Sequence, residues 1–155
     1  MTDNEILQMV GFSVGDEEFC IDILKVQEIM RLVDITKVPN APEYVAGLIN
    51  LRGKVIPIID FRKRCKLYGG TELDNQHKRI VVTSVGEKTV GLIVDKVSQV
   101  LKLEKGKIDP TPDVVKGVNS EFISGVGQND DTLLILLDLE KLILHDELET
   151  IENAA

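Results

Sequence analysis

The chain has 155 residues and carries 18 Lys and Arg against 26 Asp and Glu, a formal net charge of −8. That balance opposes sequence-independent nucleic-acid binding, which needs clustered cations, and it opposes attachment to an anionic membrane surface. Apolar residues make up 43%, which argues against disorder, but aromatics are only 4% and Trp is absent, so Val, Ile and Leu must fill the core and β structure is favoured.

Cys20 and Cys65 form no CxxC pair, so the expectation is two free thiols in a reducing cytoplasm and no zinc or redox motif. The start Met1-Thr2-Asp3-Asn4-Glu5 lacks the basic and apolar regions of a signal peptide. No run approaches the about 18 apolar residues of a membrane span. No cofactor or metal is expected.

In chain order, residues 9–14 and 18–22 read as a hairpin around Gly15-Asp16. A helical turn near Asp22–Lys25 leads into a strand from Val26 to Leu32. Pro42 to Ala46 reads as a short helix with Pro in its first turn. Asn50-Leu51-Arg52-Gly53-Lys54 then places a permanent charge and a glycine immediately before Val55–Ile59, a run apolar on both faces. Pro57 inside that run points to an edge or a bulge, because proline donates no ladder hydrogen bond. A polar connector follows.

Residues 80–85 and 89–95 form a second hairpin around Gly86-Glu87, and Val97 to Leu103 a further strand. Gly125 to Asp131 reads as a loop absent from the first half. Leu133–Leu137 is a central strand. From Asp138, a good N-cap, Leu139, Leu142 and Ile143 stand at helical spacing in a C-terminal helix.

The chain is written twice. Val10–Phe19 aligns with Val81–Val90 without gaps, matching Ser13-Val14-Gly15 to Ser84-Val85-Gly86, then Lys25-Val26 to Lys96-Val97 and Leu32 to Leu103. Pro39, Pro42 and Gly47 find counterparts in Pro110, Pro112 and Gly117, and Asp60-Phe61 in Asp138-Leu139. Halves at 10–67 and 80–145 with a connector at 68–79 are expected within one domain spanning 1–155, with strands open to exchange between them. Short strands with Gly-centred turns indicate an all-β protein with short helices: two small barrels sharing a hydrophobic core.

Candidate chemistry is sparse. His77 and His145 stand in polar contexts with no orienting neighbour, so no Ser–His–Asp set can be argued. Asp16-Glu17-Glu18 and Asp130-Asp131 fail the calcium-loop pattern, and no glycine array has the spacing of a phosphate loop. Arg62-Lys63-Arg64 reads as the solvated end of a strand and a first helical turn. For Arg52 the residues leave two readings open. It caps a carbonyl or pairs with a carboxylate, or it anchors an interface through its fixed fork of donors.

The motifs Asp16-Glu-Glu-Phe-Cys-Ile-Asp-Ile-Leu-Lys-Val-Gln-Glu-Ile29, Pro39-Asn-Ala-Pro42, Asn50-Leu-Arg-Gly-Lys-Val-Ile-Pro-Ile-Ile-Asp60 and Val90-Gly-Leu-Ile-Val-Asp-Lys-Val-Ser-Gln-Val-Leu101 together resemble the CheW family of bacterial chemotaxis coupling proteins. The likeness runs roughly from Val10 to Leu144. It implies two five-stranded, Src-homology-3-like barrels around a shared core, and a non-enzymatic scaffold joining methyl-accepting chemoreceptors to the histidine kinase CheA.

The resemblance further implies a receptor-facing groove of Ile23, Val26, Glu28, Arg52, Gly91, Val97 and Val100, in which apolar residues accept a receptor helical hairpin and Glu28 and Arg52 set register at the rim. It implies a kinase-facing patch at Asp109, Pro110, Asp113 and Val114, where the family often has a basic residue in place of Asp109 and an aromatic in place of Val114. A monomer in isolation, recruited to cytoplasmic receptor arrays at the cell pole, is expected. The coupling module alone is expected, without the kinase or receiver domains that accompany it in CheA and CheV. The alternatives are an adaptor for type IV pili or another CheA-like pathway, and a small β-barrel ligand carrier or enzyme using strand-end carboxylates such as Asp60 and Asp95.

Overall fold

The computed structural model describes residues 5–65, 76–109, 122–129 and 132–143. The first hairpin is β1 (Ile6–Val14) and β2 (Glu17–Asp22), turned by Gly15 at φ +61°. A 3-10 turn at Ile23–Lys25, capped by the Asp22 carboxylate on the Leu24 N–H, leads into β3 (Val26–Arg31). Then come β4 (Val45–Leu51), β5 (Lys54–Asp60) and the one-turn helix α1 (Phe61–Arg64). The second hairpin is β6 (Arg79–Val85) and β7 (Lys88–Val94), turned by Gly86 at the same φ. It is followed by β8 (Lys96–Glu104), β9 (Ile123–Asn129), β10 (Thr132–Leu137) and the one-turn helix α2 (Leu139–Leu142).

The strands form two five-stranded sheets, ordered β8-β1-β2-β10-β9 and β3-β6-β7-β5-β4. The two orders are the same path. Each sheet takes its hairpin from one of the two repeated halves and its other three strands from the other half. In each, the strand before the one-turn helix pairs in parallel with the second strand of the foreign hairpin, β10 with β2 and β5 with β7. The chain therefore crosses between sheets immediately after each hairpin.

Neither sheet closes, so the expected barrels are open, curled sheets. Each wraps a small core of its own. Met9, Cys20, Leu101, Leu103, Leu134 and Leu136 fill the first, and Ile49, Ile56, Ile58, Ile80 and Val82 the second. A larger cluster lies between the sheets and draws on both, including Phe12, Phe19, Phe61, Val81, Leu92, Phe122 and Leu142. At its centre Phe61 meets Phe12 edge-on at 5.3 Å and Phe19 edge-on at 4.9 Å between ring centroids, the packing that aromatic quadrupoles prefer. Cys20 and Cys65 are buried and free, and burial pushes both thiols up to about 12.

Three local expectations are corrected. Residues 42–46 are not a helix. The Pro42 carbonyl accepts the Val45 N–H at 2.9 Å in a single turn, and β4 begins there because pairing with β5 buries Gly47 and Ile49. From Gly125 to Asn129 the expected loop is β9, and residues 130–131 lie outside the described residues. The glycines of β9 are demanded by close approach: a Cβ at Gly125 would stand 2.9 Å from the Asp109 carbonyl oxygen, and one at Gly127 2.8 Å from the Leu103 side chain. Pro57 lies in an interior strand, but the β5–β7 ladder begins only at Ile58, so its missing N–H falls where β5 is paired on one side.

Phe61→Ala should cost about 3–5 kcal/mol, the usual range for emptying a buried phenylalanine site. Denaturant unfolding with matched slopes measures it, and a loss below about 1 kcal/mol would show that this cluster does not hold the sheets together.

Candidate functional site

Arg52 and Gly53 are the two central residues of the β4–β5 turn, with Leu51 opposite Lys54. Both have positive φ, +51° and +85°, as a type I′ hairpin turn requires. Glycine accepts that conformation freely. Arginine does not, and a residue without glycine's freedom held there costs on the order of 1 kcal/mol. The Asn50 side-chain oxygen accepts the Gly53 N–H at 2.8 Å and props the turn. The chain thus keeps an arginine where Asn or Gly would be less strained.

The guanidinium reaches across the sheet. β3 and β4 are the two outer strands of the second sheet, yet Arg52 donates both terminal nitrogens to Glu28 on β3. The pair laces one edge of the open sheet to the turn beyond the other. Arg52 is 71% exposed and Glu28 29%. The hydrogen bond from Arg52 holds the Glu28 carboxyl below the usual carboxylate range, and the same bond raises Arg52. Because Glu28 is lowered, the pair is complete at neutral pH and is lost as pH falls through the Glu28 pKa.

A second polar rung lies beside the first. Gln27 donates to Ser84 Oγ at 2.6 Å and to Thr89 Oγ1 at 3.3 Å, and Lys54 Nζ donates to Thr89 Oγ1 at 2.9 Å. These four residues were not singled out from the sequence. The available signal was adjacency, since Gln27 precedes Glu28 and Lys54 follows Arg52-Gly53. A shallow groove bordered by Val38, Pro39, Leu48, Asn50 and Val55 flanks the turn.

The remaining expected receptor-facing residues divide. Ile23, Val26 and Val97 are half-buried and pack against the cluster between the sheets, although Val97 belongs to β8 of the other sheet. Val100 is 54% exposed on β8. Gly91 is buried in β7, where a Cβ would meet Ile58 at 2.6 Å and Ile80 at 2.8 Å, so its missing side chain makes room for the protein's own core. In the expected kinase patch, Asp109 is exposed and exchanges backbone hydrogen bonds with Val126 at 2.9 and 2.8 Å. Pro110, Asp113 and Val114 lie outside the described residues.

The strand-end carboxylates have structural work. Asp60 caps α1 by accepting the Lys63 N–H. Asp95 is buried and accepts from the Gly15 N–H at 2.8 Å and from Arg62 at 2.6 Å. The basic run is not simply solvated either, because Arg62 pairs with Asp95 and Arg64 stacks over Tyr44 and Phe122. His77 is exposed, and His145 lies outside the described residues. Among the described residues no group of three or more His, Cys, Asp or Glu could hold a metal, and no helix is long and apolar enough to cross a membrane.

The fold is an all-β module of two open five-stranded sheets with a braced, cation-tipped turn on one of them. The CheW-like domain family model matches residues 8–147. The chemotaxis protein CheW of Klebsiella aerogenes is 38% identical over 144 residues, covering 93% of this chain and 86% of that protein. CheW of Treponema pallidum is 35% identical over 153 residues, covering 97% and 90%. The crystal structure of the scaffolding protein TtCheW from Thermoanaerobacter tengcongensis matches with a TM-score of 0.81 at 36% identity, covering 89% of this chain and 92% of that one. The chain belongs to the CheW family: it is a chemotaxis coupling adaptor and not an enzyme.

Two outcomes follow from this geometry. Arg52→Ala should raise the Glu28 carboxyl toward its ordinary value of about 4.3, read by NMR titration; an unchanged titration would mean that the pair does not form in solution. Gly91→Ala should destabilise by about 1–3 kcal/mol through overpacking while leaving partner affinity per folded molecule unchanged. Lost affinity at full stability would return Gly91 to the surface.

Proposed function

We propose that the chain joins the cytoplasmic tips of methyl-accepting chemoreceptors to the regulatory domain of the histidine kinase CheA, within receptor arrays on the cytoplasmic side of the membrane. Ile23, Val26, Val97 and Val100 offer apolar contact to a receptor helical hairpin, and Arg52 with Glu28 sets its register. Asp109, Pro110, Asp113 and Val114 face the kinase. Gly91 supports the receptor surface from beneath.

The observation that carries this reading is Arg52, held at positive φ on a two-residue turn and tied to Glu28 across the sheet. A strained non-glycine residue points to function, because a less strained residue was available at no cost to the turn. Arginine pre-organised in this way loses less rotamer freedom on contact and presents the N–H donors not given to Glu28 to a carboxylate or carbonyl of the partner. The apolar residues beside it give area, and the charged pair gives orientation.

Arg52→Glu reverses the charge at the tip and opposes Glu28. Pull-down with a receptor cytoplasmic fragment should fall at least about tenfold, while capture of a CheA regulatory fragment stays at wild-type level and the fold is intact by circular dichroism. Undiminished receptor capture would remove Arg52 from the site.

A further inference from the structure

The one-turn helices α1 and α2 occupy matching places in the two sheets. Asp60 caps the first and Asp138 the second, and the Asp60 and Asp138 N–H groups donate to the carbonyls of Tyr44 and Phe122, each at 2.8 Å. In this correspondence Arg62 matches Glu140 and Arg64 matches Leu142. Two of the three cations of α1, Arg62 and Arg64, reach into the other half of the chain.

Arg64 donates through Nε to the Leu142 carbonyl at 2.8 Å, so residues in matching positions meet directly. Its guanidinium lies 5.2 Å from the Tyr44 ring centroid and 5.4 Å from that of Phe122, the residues immediately before β4 and β9. Arg62 donates to Asp95 at 2.6 Å, with side-chain exposures of 17% and 6%. Asp95 is the single residue between β7 of one sheet and β8 of the other. Its N–H donates to the Ser13 carbonyl at 3.1 Å, and its carboxylate also holds the Gly15 turn. At the other crossover, the residue matching Asp95 is Leu24, which is exposed.

We infer that Arg62 and Arg64 are positioning residues: a one-sided polar clasp that fixes the angle between the two sheets, and with it the relation between the receptor-facing and kinase-facing surfaces. The shared cluster between the sheets is apolar, and apolar burial is non-directional. Directional contacts are what select one orientation among those of similar burial. Arg64 supplies two stacked faces and a hydrogen bond from one planar group, and Arg62 supplies a largely desolvated ion pair at the crossover itself. The counterparts Glu140, Leu142 and Leu24 cannot reproduce these contacts, so the clasp is not a by-product of the repeated topology. Its consequence for coupling rests on the function proposed above; its effect on sheet orientation does not.

The test uses the full chain with spin labels on cysteines introduced at exposed Val55 of β5 and Lys102 of β8, one in each sheet. Native Cys20 and Cys65, buried with thiols at about 12, stay unlabelled. Arg64→Met keeps the apolar stem and removes the planar cation. The distance distribution between the labels should broaden relative to the unsubstituted protein. Receptor and kinase fragments should each still bind at wild-type affinity, while receptor-stimulated kinase autophosphorylation falls about fivefold or more.

Should Arg64→Met fail to fold, Arg64→Lys carries the same expectation, since it keeps charge but not the stacked plane. An unchanged distance distribution overturns the clasp. Loss of both binary affinities in step with stimulation assigns Arg64 to stability alone. A receptor fragment indifferent to Arg52→Glu sinks the proposed site, and the label distances still decide the clasp.

Discussion

Phe61 stands between Phe12 and Phe19, and that contact depends on how the chain is threaded. Phe12 and Phe19 come from the first hairpin, whereas Phe61 opens the helix that follows β5 in the other sheet. The cluster forms only when each hairpin has left its own half and joined the strands of the other. With few aromatics and no tryptophan, most of the interior is filled by branched aliphatics, and the three phenylalanines lie where both sheets need a common wall. The crossovers at Asp22–Lys25 and Asp95 follow from this arrangement. So does the placement of half-buried Ile23, Val26 and Val97 against one cluster although they come from different strands.

Local features were legible in the residues. Gly15 and Gly86 announced two hairpins, and Asp138 announced a helix start, because turn and cap chemistry act over a few residues. The aligned Ser-Val-Gly motifs drew attention to paired hairpins. β4 and β9 escaped notice. Gly47 has φ +145° at a bulge opposite β5, and Gly125 and Gly127 sit where neighbouring segments crowd the backbone. A glycine required by tertiary crowding looks, in sequence alone, like a glycine required by a loop. Gly91 is likewise a glycine of crowding, since a Cβ there would meet Ile58 and Ile80.

The candidate site was half legible. The Asn-Leu-Arg-Gly motif singled out Arg52, and the family resemblance added Glu28. Their contact could not be read, because it depends on the outer strands of the second sheet coming within side-chain reach, and the positive φ of Arg52 follows from a two-residue turn into which β4, unread in the sequence, leads. Gln27, Ser84, Thr89 and Lys54 are joined by the order of the strands, β3-β6-β7-β5, which brings together residues far apart in the chain. Arg62 and Arg64 looked solvated beside Lys63, but a helix of one turn points its residues in different directions, and only Lys63 is fully outward. An acidic chain that places its cations on a turn tip and at a sheet-to-sheet junction uses them for contact and orientation, which suits an adaptor that carries no chemistry of its own.

The central claim is that Arg52 occupies a strained turn position for the sake of a partner. Arg52→Asn tests it most directly, because asparagine tolerates positive φ and keeps the hairpin. Stability by denaturant unfolding and affinity for a receptor cytoplasmic fragment should be measured on the same preparation. The account predicts stability equal to or above that of the unsubstituted protein, together with receptor affinity lowered about tenfold or more. Unchanged affinity, or a loss of stability large enough to explain weakened binding, would contradict it.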